Sequence, residues 1–337
     1  MVRWLRCRTF CIYVMKTLSR IAAAVMLVAV VMPSFARGRK HEVTIVSNRE
    51  QVRIYSSAVE DTLRLFVVAD THLWLSDERE EPFREYSKRM AAAYNVTSHF
   101  RTGARTSPEE AFRQTIALAK QRGADAVALV GDILSYPTER GVEFVQEVMR
   151  EYGMPYYYTP GNHDWHYEGM SGTSQQLRRE WRDRRLKPLF QGNDPDAYGV
   201  TLKGVRLLFI DSSNYVIEPE QLKFVQREAR GKQPFILFQH IPMYAPSRSV
   251  GYGIGHPDWG AKADGGYKIE RRRQWAESHT KLDYDFYDTV VGAPNLLATF
   301  AGHVHTYGCD IINGRPHFTV GANFSAAYYE VIVMPLK

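Results

Sequence analysis

Residues 156–164 read Tyr156-Tyr157-Tyr158-Thr159-Pro160-Gly161-Asn162-His163-Asp164. Three consecutive tyrosines are strongly β-prone and too short a run for a helix, so they predict a buried strand. Pro160-Gly161 breaks that strand. Asn162, His163 and Asp164 then arrive together at its carboxyl edge, where open α/β sheets place their sites. Asn162 offers a neutral amide oxygen, His163 a proton near neutral pH, and Asp164 a carboxylate able to orient an imidazole. An ordinary loop has the same composition, so the other strand ends have to decide between the two readings.

Working outward, the same architecture repeats on both sides. Leu63–Ala69 is a near-continuous apolar run, as expected of a strand covered on both faces, and it ends in Asp70-Thr71-His72. On an extended chain, residues i and i+2 point the same way, so Asp70 and His72 are expected to converge. Ala124–Val130 is a second such run, ending in Gly131-Asp132. Pro234–Gln239 ends in His240, and Leu296–Ala301 ends in Gly302-His303-Val304-His305.

Helices separate these strands. Ser107-Pro108-Glu109-Glu110 starts one that runs to Arg122, with an N-cap, a first-turn proline and acids against the dipole. Others are expected over Thr138–Tyr152, Thr173–Leu186 and Glu218–Arg230. A further helix, Glu78–Tyr94, is expected inside a polar, aromatic-dotted insertion that ends near residue 106. Short β-prone runs at 43–55 and 198–210 read as hairpins, and strands near 307–312, 316–321 and 326–334 close the chain. Residues 246–282, rich in glycine, aromatics and charge, show no clean period and are expected to supply part of a substrate lid.

Five strand ends thus carry Asp70, His72, Asp132, Asn162, His163, His240, His303 and His305. Leaving out His163, the set is oxygen and imidazole donors without thiolate. That suits Mn, Fe or Zn in five- or six-coordinate sites better than a structural zinc site. Seven ligands over-supply one ion but suit two that share a carboxylate. Two divalent ions against two carboxylates leave roughly two positive charges, a site for a phosphate dianion.

The order D-x-H, GD, GNHD, H, GH-x-H resembles the calcineurin-like metallophosphoesterase superfamily over roughly residues 63–335. That resemblance implies a four-layered α/β/β/α sandwich of two mixed sheets flanked by helices. It implies Asp70, His72, Asp132 and His305 at a first divalent ion, with Asp132 bridging to a second held by Asn162, His240 and His303. His163 would be a non-ligand that contacts phosphoryl oxygens or protonates the leaving group. Two such ions about 3.5–4 Å apart would hold a bridging hydroxide that attacks phosphorus in line.

Within the superfamily, the likeness is to cyclic-nucleotide-phosphodiesterase-like and acid-sphingomyelinase-like members, with GHVHTY also similar to purple acid phosphatases. The tyrosinate position of the latter is Ser135 here. The Asp and Arg that mark Ser/Thr protein phosphatases after GD are absent from GDILSY. A small phosphomonoester or phosphodiester is the implied substrate. The alternatives are a phospholipid or sphingolipid phosphodiesterase at a membrane surface, and a non-catalytic metal-binding protein on the same fold.

The 337 residues, 45% hydrophobic, suffice for one large domain, expected over 37–337. Lys16 and Arg20 precede an apolar run, Ile21–Met32, too short to span a bilayer, and Ser34-Phe35-Ala36 follows it. Residues 1–36 therefore read as a cleaved signal peptide, which implies a periplasmic or secreted protein with no transmembrane span in the mature chain. Met15 would itself serve as a start. The leader carries Arg3, Arg6, Arg8, Lys16, Arg20 and no acid, so its removal lowers the formal charge from +6 to +1. Nothing in that balance indicates a nucleic-acid partner. Cys309 alone remains, so no internal disulfide is available.

Other residues carry weaker expectations. His166, His256 and His279 read as surface or supporting residues. Trp74, Trp165, Tyr136 and Tyr244 either wall a pocket or simply pack. The basic run from Arg178 and the triplet Arg271–Arg273 read as solvated faces. Asn95-Val96-Thr97 and Asn323-Phe324-Ser325 are glycosylation triplets, meaningful only in a eukaryotic secretory route.

Overall fold

The computed structural model describes residues 42–246, 253–255 and 279–336. The expected leader, most of the expected lid at 246–282, His256 and Arg271–Arg273 lie outside the described residues.

Two six-stranded mixed sheets face each other. The first has the order β1-β2-β14-β3-β6-β7 and the second β12-β13-β11-β10-β9-β8. In the first, β3 (Leu63–Val68), β6 (Ala126–Val130) and β7 (Tyr156–Thr159) run parallel, and their carboxyl ends share one edge. The run AVALV is buried throughout, which explains why it is apolar without alternation. The hairpin of β1 (Val43–Ser47) and β2 (Gln51–Ser56) reaches this sheet only through β14 (Tyr329–Pro335), which pairs parallel to β2 and antiparallel to β3.

In the second sheet, β9 (Val205–Ile210), β10 (Phe235–Gln239), β11 (Leu296–Ala301) and β13 (Arg315–Thr319) are parallel. The edge strands β8 (Ala197–Leu202) and β12 (Gly308–Ile312) are antiparallel to their neighbours. One aromatic ring from each strand except β12 forms a ladder on the inner face. Tyr198, Phe209, Phe238, Phe300 and Phe318 stack with centroids 5.0, 4.9, 5.8 and 5.0 Å apart in turn. Such cross-strand pairs fix register, and here they fix where the strand ends bearing His240 and His303 fall.

Helices cover both outer faces. Pro108–Gln121 and Glu139–Glu151 pack on the first sheet, Pro219–Arg230 and Lys281–Gly292 on the second. Ser107 caps the first of these as expected, its side chain accepting from the Glu110 amide. The layers are therefore helix, sheet, sheet, helix. Two latches join the sheets near the 156–164 stretch. The Tyr198 hydroxyl accepts from the Tyr158 amide and donates to the Tyr158 carbonyl, both at 2.9 Å, and Thr159 Oγ1 donates to the Ile210 carbonyl at 2.8 Å.

Several expectations need correction. The insertion is not one helix: a 3₁₀ segment Glu78–Phe83, with Pro82 inside it, precedes the helix Arg84–Ala93, and a two-stranded ribbon follows, β4 (Thr97–Ser98) with β5 (Arg105–Thr106). The expected Thr173–Leu186 helix is regular only over Ser174–Trp181 and then widens to a π-helical turn through Leu186. Lys281–Gly292, with its capping box of Thr280 and Asp283, is a helix for which the sequence pattern gives no expectation. The basic run is only partly a solvated face: Arg179, Arg184 and Lys187 are exposed, but Arg178 is buried against Asp211 at 2.7 Å and Arg185 against Glu80 at 3.3 Å. Asn323 is wholly buried and bonded to Thr71, Thr115 and the Ala327 carbonyl, which rules out a glycan there. Trp165 and Tyr136 are buried in the core, so they pack rather than wall a pocket.

Candidate metal centre

The carboxyl ends of β3, β6, β7, β10 and β11 meet where the two sheets come together. The side chains there fall into two groups, Asp70 with His72 and His305, and Asp132 with His240 and His303. Within each group the ligating atoms lie within 4.8 Å of one another. Asp132 faces both: its Oδ2 is 3.1 Å from His240 Nε2 and 3.9 Å from His72 Nε2. In the first group, His72 Nε2 is 3.2 Å from His305 Nε2, and His305 Nε2 is 3.4 Å from Asp70 Oδ1.

The backbone achieves this by turning out of the strands. Asp70, His72, Asp132, His303 and His305 all have φ between +50° and +72°. Asp70 and His72 therefore converge through a left-handed turn and not, as expected, by alternation along an extended chain. Left-handed backbone costs on the order of 1–3 kcal/mol per non-glycine residue and clusters at functional sites. Here a dense set of hydrogen bonds holds it. The His303 amide donates to both Asp70 oxygens at 3.0 Å, the His163 amide to Asp132 Oδ1 at 2.7 Å, and the His72 amide to the Asp132 carbonyl at 2.9 Å.

A glycine precedes Asp132, His303 and Asn162 for a steric reason. A Cβ on Gly161 would lie 2.2 Å from Asp132 Oδ1, one on Gly131 2.5 Å from His240 Nδ1, and one on Gly302 2.7 Å from Asp70 Oδ2. The repeated glycine is a sequence signal that strand periodicity alone does not use.

Of the residues expected at the site, Asp70, His72, Asp132, His240, His303 and His305 are brought together. Asn162 sits between Gly161 and His163, both of which touch Asp132. His163 is half-buried, its ring 5.0 Å from that of His72. Asp164 does not orient it. The Asp164 carboxylate is fully buried and accepts from the Leu134 and Gly161 amides, both at 2.7 Å, so it clamps the Asn162 loop to the loop after β6. Burial, reinforced by the Asp132 charge, pushes its carboxyl up to about 7.

Burial lowers His72 and His303, so both stay neutral and keep a lone pair. Burial also opposes a charge on His240, but Asp132 outweighs it and raises that imidazole to about 9. His240 Nδ1 is 3.0 Å from the Val130 carbonyl; as the donor there, it leaves Nε2 turned to Asp132.

These residues fit divalent cations. Asn162 Oδ1 is buried and has no hydrogen-bond partner among the described residues, a state that costs about 1–3 kcal/mol and that a cation relieves. The His72 and His305 Nε2 atoms face each other at 3.2 Å, and His305 Nε2 is 3.4 Å from Asp70 Oδ1, so imidazole nitrogen and carboxylate oxygen converge there.

Two aromatic residues that the sequence does not place at the site, Tyr94 and Phe324, complete the first group. Tyr94, from the insertion, stacks on His72 with centroids 4.3 Å apart and on Phe324 at 4.8 Å. Phe324 packs edge-on to His305 at 5.3 Å. They are far apart in sequence, and the one pattern that holds Phe324, the Asn323-Phe324-Ser325 triplet, says nothing of a metal centre, so no local pattern points to them.

A family model described as calcineurin-like phosphoesterase matches residues 63–307. The chain belongs to that family. As a calcineurin-like phosphoesterase it is a metal-dependent phosphoric ester hydrolase, and the family implies a dinuclear metal centre. No curated protein matches the chain. Among solved structures, a dimetal phosphatase from Danio rerio is 12% identical with a TM-score of 0.48, covering 79% of this chain and 91% of its own. A phosphopantetheinyl hydrolase from Mycobacterium tuberculosis is 11% identical with a TM-score of 0.42, covering 82% and 96%. A purple acid phosphatase from yellow lupin is 12% identical with a TM-score of 0.45, covering 83% of this chain and 48% of its own.

Proposed function

We propose that the protein is an exported hydrolase of a small phosphomonoester or phosphodiester, with Asp70, His72, Asp132 and His305 holding one divalent ion and Asp132, Asn162, His240 and His303 the other. The observation that carries this reading is Asp132, a member of one triad whose Oδ2 is 3.1 Å from His240 Nε2 and also 3.9 Å from His72 Nε2 of the other. The donor set suits Mn, Fe or Zn. When bound, a pair of such ions supplies charge for the phosphoryl oxygens and acidifies a water.

The protein's own residues do the rest. Asp132 orders the Asn162 loop by accepting from the His163 amide, so the metal-binding residues and the proton donor move as one unit. His163, half-buried beside His72, donates a proton from its ring to the departing ester oxygen. No side chain forms a covalent bond to phosphorus. Asp164 maintains the turn that presents His163.

The reading is tested by hydrolysis of p-nitrophenyl phosphate and bis(p-nitrophenyl) phosphate with added Mn or Zn and then with a chelator. Turnover that appears with metal and disappears with chelator is expected; none with any metal refutes an enzyme. For export, intact-mass measurement should find a mature N-terminus near Arg37, and retention of Met1 or Met15 refutes cleavage.

A further inference from the structure

Asp70 and His72 both have left-handed backbone, φ +54° each, and Thr71 lies between them. Such a conformation persists only where the surroundings over-determine it. On one side the loop after β6 does so, since the Asp70 amide donates to the Gly131 carbonyl at 3.0 Å and the His72 amide to that of Asp132 at 2.9 Å. On the other side stands the short turn Asn323–Ser325, which precedes β14.

That turn reaches every member of the triad Asp70, His72 and His305. The Asn323 amide donates to the Ala69 carbonyl at 2.9 Å, the Phe324 amide to the Asp70 carbonyl at 3.1 Å, and the Ala322 amide to the His305 carbonyl at 3.4 Å. The Phe324 ring lies 5.3 Å from the His305 ring and 6.0 Å from that of His72. Among the described residues, none of these hydrogen bonds or ring contacts runs to Asp132, His240 or His303.

The Asn323 side chain ties the turn to the loop between the two ligands. Thr71 Oγ1 donates to Asn323 Oδ1 at 3.1 Å, and both residues are wholly buried. The Asn323 amide nitrogen donates to Thr115 Oγ1 at 2.9 Å and to the Ala327 carbonyl at 3.0 Å. A carbonyl only accepts, so the nitrogen has to face Ala327 and the oxygen Thr71. Thr115 Oγ1 in turn donates to the Ala111 carbonyl at 2.9 Å, which anchors Asn323 on the helix Pro108–Gln121. Both amide hydrogens and the amide oxygen are engaged, so the group has a single orientation.

Groups that fix metal ligands from behind change metal affinity by about 10- to 100-fold. We propose that Asn323 is a positioning residue for the ion held by Asp70, His72 and His305. By holding the Thr71 hydroxyl it sets the loop that carries Asp70 and His72, and so governs the affinity of that site and not of the other. The inference rests on the reading of the two triads as a dinuclear metal centre. Asn323 itself is no ligand.

The test is calorimetric titration of the metal-free protein with Mn, for the parent and for Thr71→Val, Thr71→Ser and Asn323→Ala. Valine keeps the shape of threonine without the hydroxyl, and serine keeps the hydroxyl. The binding event that disappears in His305→Ala identifies the first ion. Val225→Ala, on the buried face of the helix Pro219–Arg230, controls for lost stability alone. Thr71→Val and Asn323→Ala are expected to raise Kd for the first ion about 10- to 100-fold. The second Kd should change by less than about threefold, and Thr71→Ser should bind as the parent does. The double variant Thr71→Val/Asn323→Ala should bind no worse than Asn323→Ala, since both changes remove the same bond. Val225→Ala should lower Tm at least as much as Thr71→Val and leave both Kd values within about threefold.

An unchanged first Kd in Thr71→Val overturns the proposal. So does equal weakening of both ions, and so does a Thr71→Ser defect as large as that of Thr71→Val. The same weakening in Val225→Ala would show that affinity only follows stability, and overturns it as well. If Asn323→Ala fails to fold, Thr71→Val carries the same comparison. A parent that binds no ion refutes the metal-centre reading and the proposal with it, whereas two bound ions beside an unaffected Thr71→Val refute the proposal alone.

Discussion

Asp132, His240 and His303 lie inside the protein, whereas in the Asp70 triad His305 keeps 28% of its side chain exposed. The anchoring differs as well. The His240 ring bonds to the Val130 carbonyl, while His72 Nδ1 has no hydrogen-bond partner and that ring is steadied by stacking on Tyr94. Two triads of the same composition thus differ in one anchored ring each, His240 by a hydrogen bond and His72 by an aromatic stack, and in the more open rim at His305. The ions they bind should differ in ease of release.

The strongest way to break this comparison is to remove what the triads share. Asp132→Asn replaces a carboxylate by a weaker neutral donor, and both ions are expected to be lost with activity down by about 10³-fold or more. Two ions per chain by metal analysis of that variant would mean that Asp132 does not join them. Next in size is His163→Ala, outside both triads, where kcat should fall by about 10²- to 10⁴-fold with metal content unchanged. The fall should be smaller for a nitrophenolate leaving group than for an alkoxide; loss of an ion instead would make His163 a ligand.

The comparison itself is sharpened by stepwise chelation. Anchors behind a ligand change metal affinity by about 10- to 100-fold, so the Asp70 triad should lose its ion first. His305→Ala should abolish the early phase and leave the late one. Simultaneous release of both ions would show the triads to be equivalent. The smallest effect belongs to the ladder beneath the second triad. Phe238→Leu breaks two stacked pairs and is expected to cost about 1–2 kcal/mol, a drop of roughly 2–8 °C in Tm, with the ions retained. An unchanged Tm would show that the ladder does not hold the strands.

Much of this was legible in the sequence because each strand is a short apolar run that ends in a polar residue. Burial on both faces and a shared carboxyl edge follow from that pattern alone. What escaped depends on contacts between distant residues. Alternation places Asp70 and His72 on one side, but the real route is a pair of left-handed residues locked by amides from other strands. The Asp164 carboxylate is adjacent to His163 in sequence yet is taken by Leu134, thirty residues earlier. Arg178 and Arg185 look like surface charge until Asp211 and Glu80 are seen against them. The Lys281–Gly292 helix carries Tyr, Phe and Val, weak helix formers, and its strongest signal is the Thr280–Asp283 cap.

The position of β14 has a consequence for how the protein comes into being. Residues 329–335 lie between β2 and β3, so the sheet that presents Asp70 stays split until one of the last segments of the chain arrives. Pairing across so long a separation is slow, because the loop between must be closed before any contact rewards it. The amides of β3 that bond to β14 should therefore gain protection late in refolding, together with β14, as pulsed hydrogen exchange would show; early protection there would mean the sheet forms without its middle strand. A chain whose synthesis has passed Asp70, Asp132 and His240 but not residue 329 thus displays these residues without the strand that joins the two parts of the first sheet.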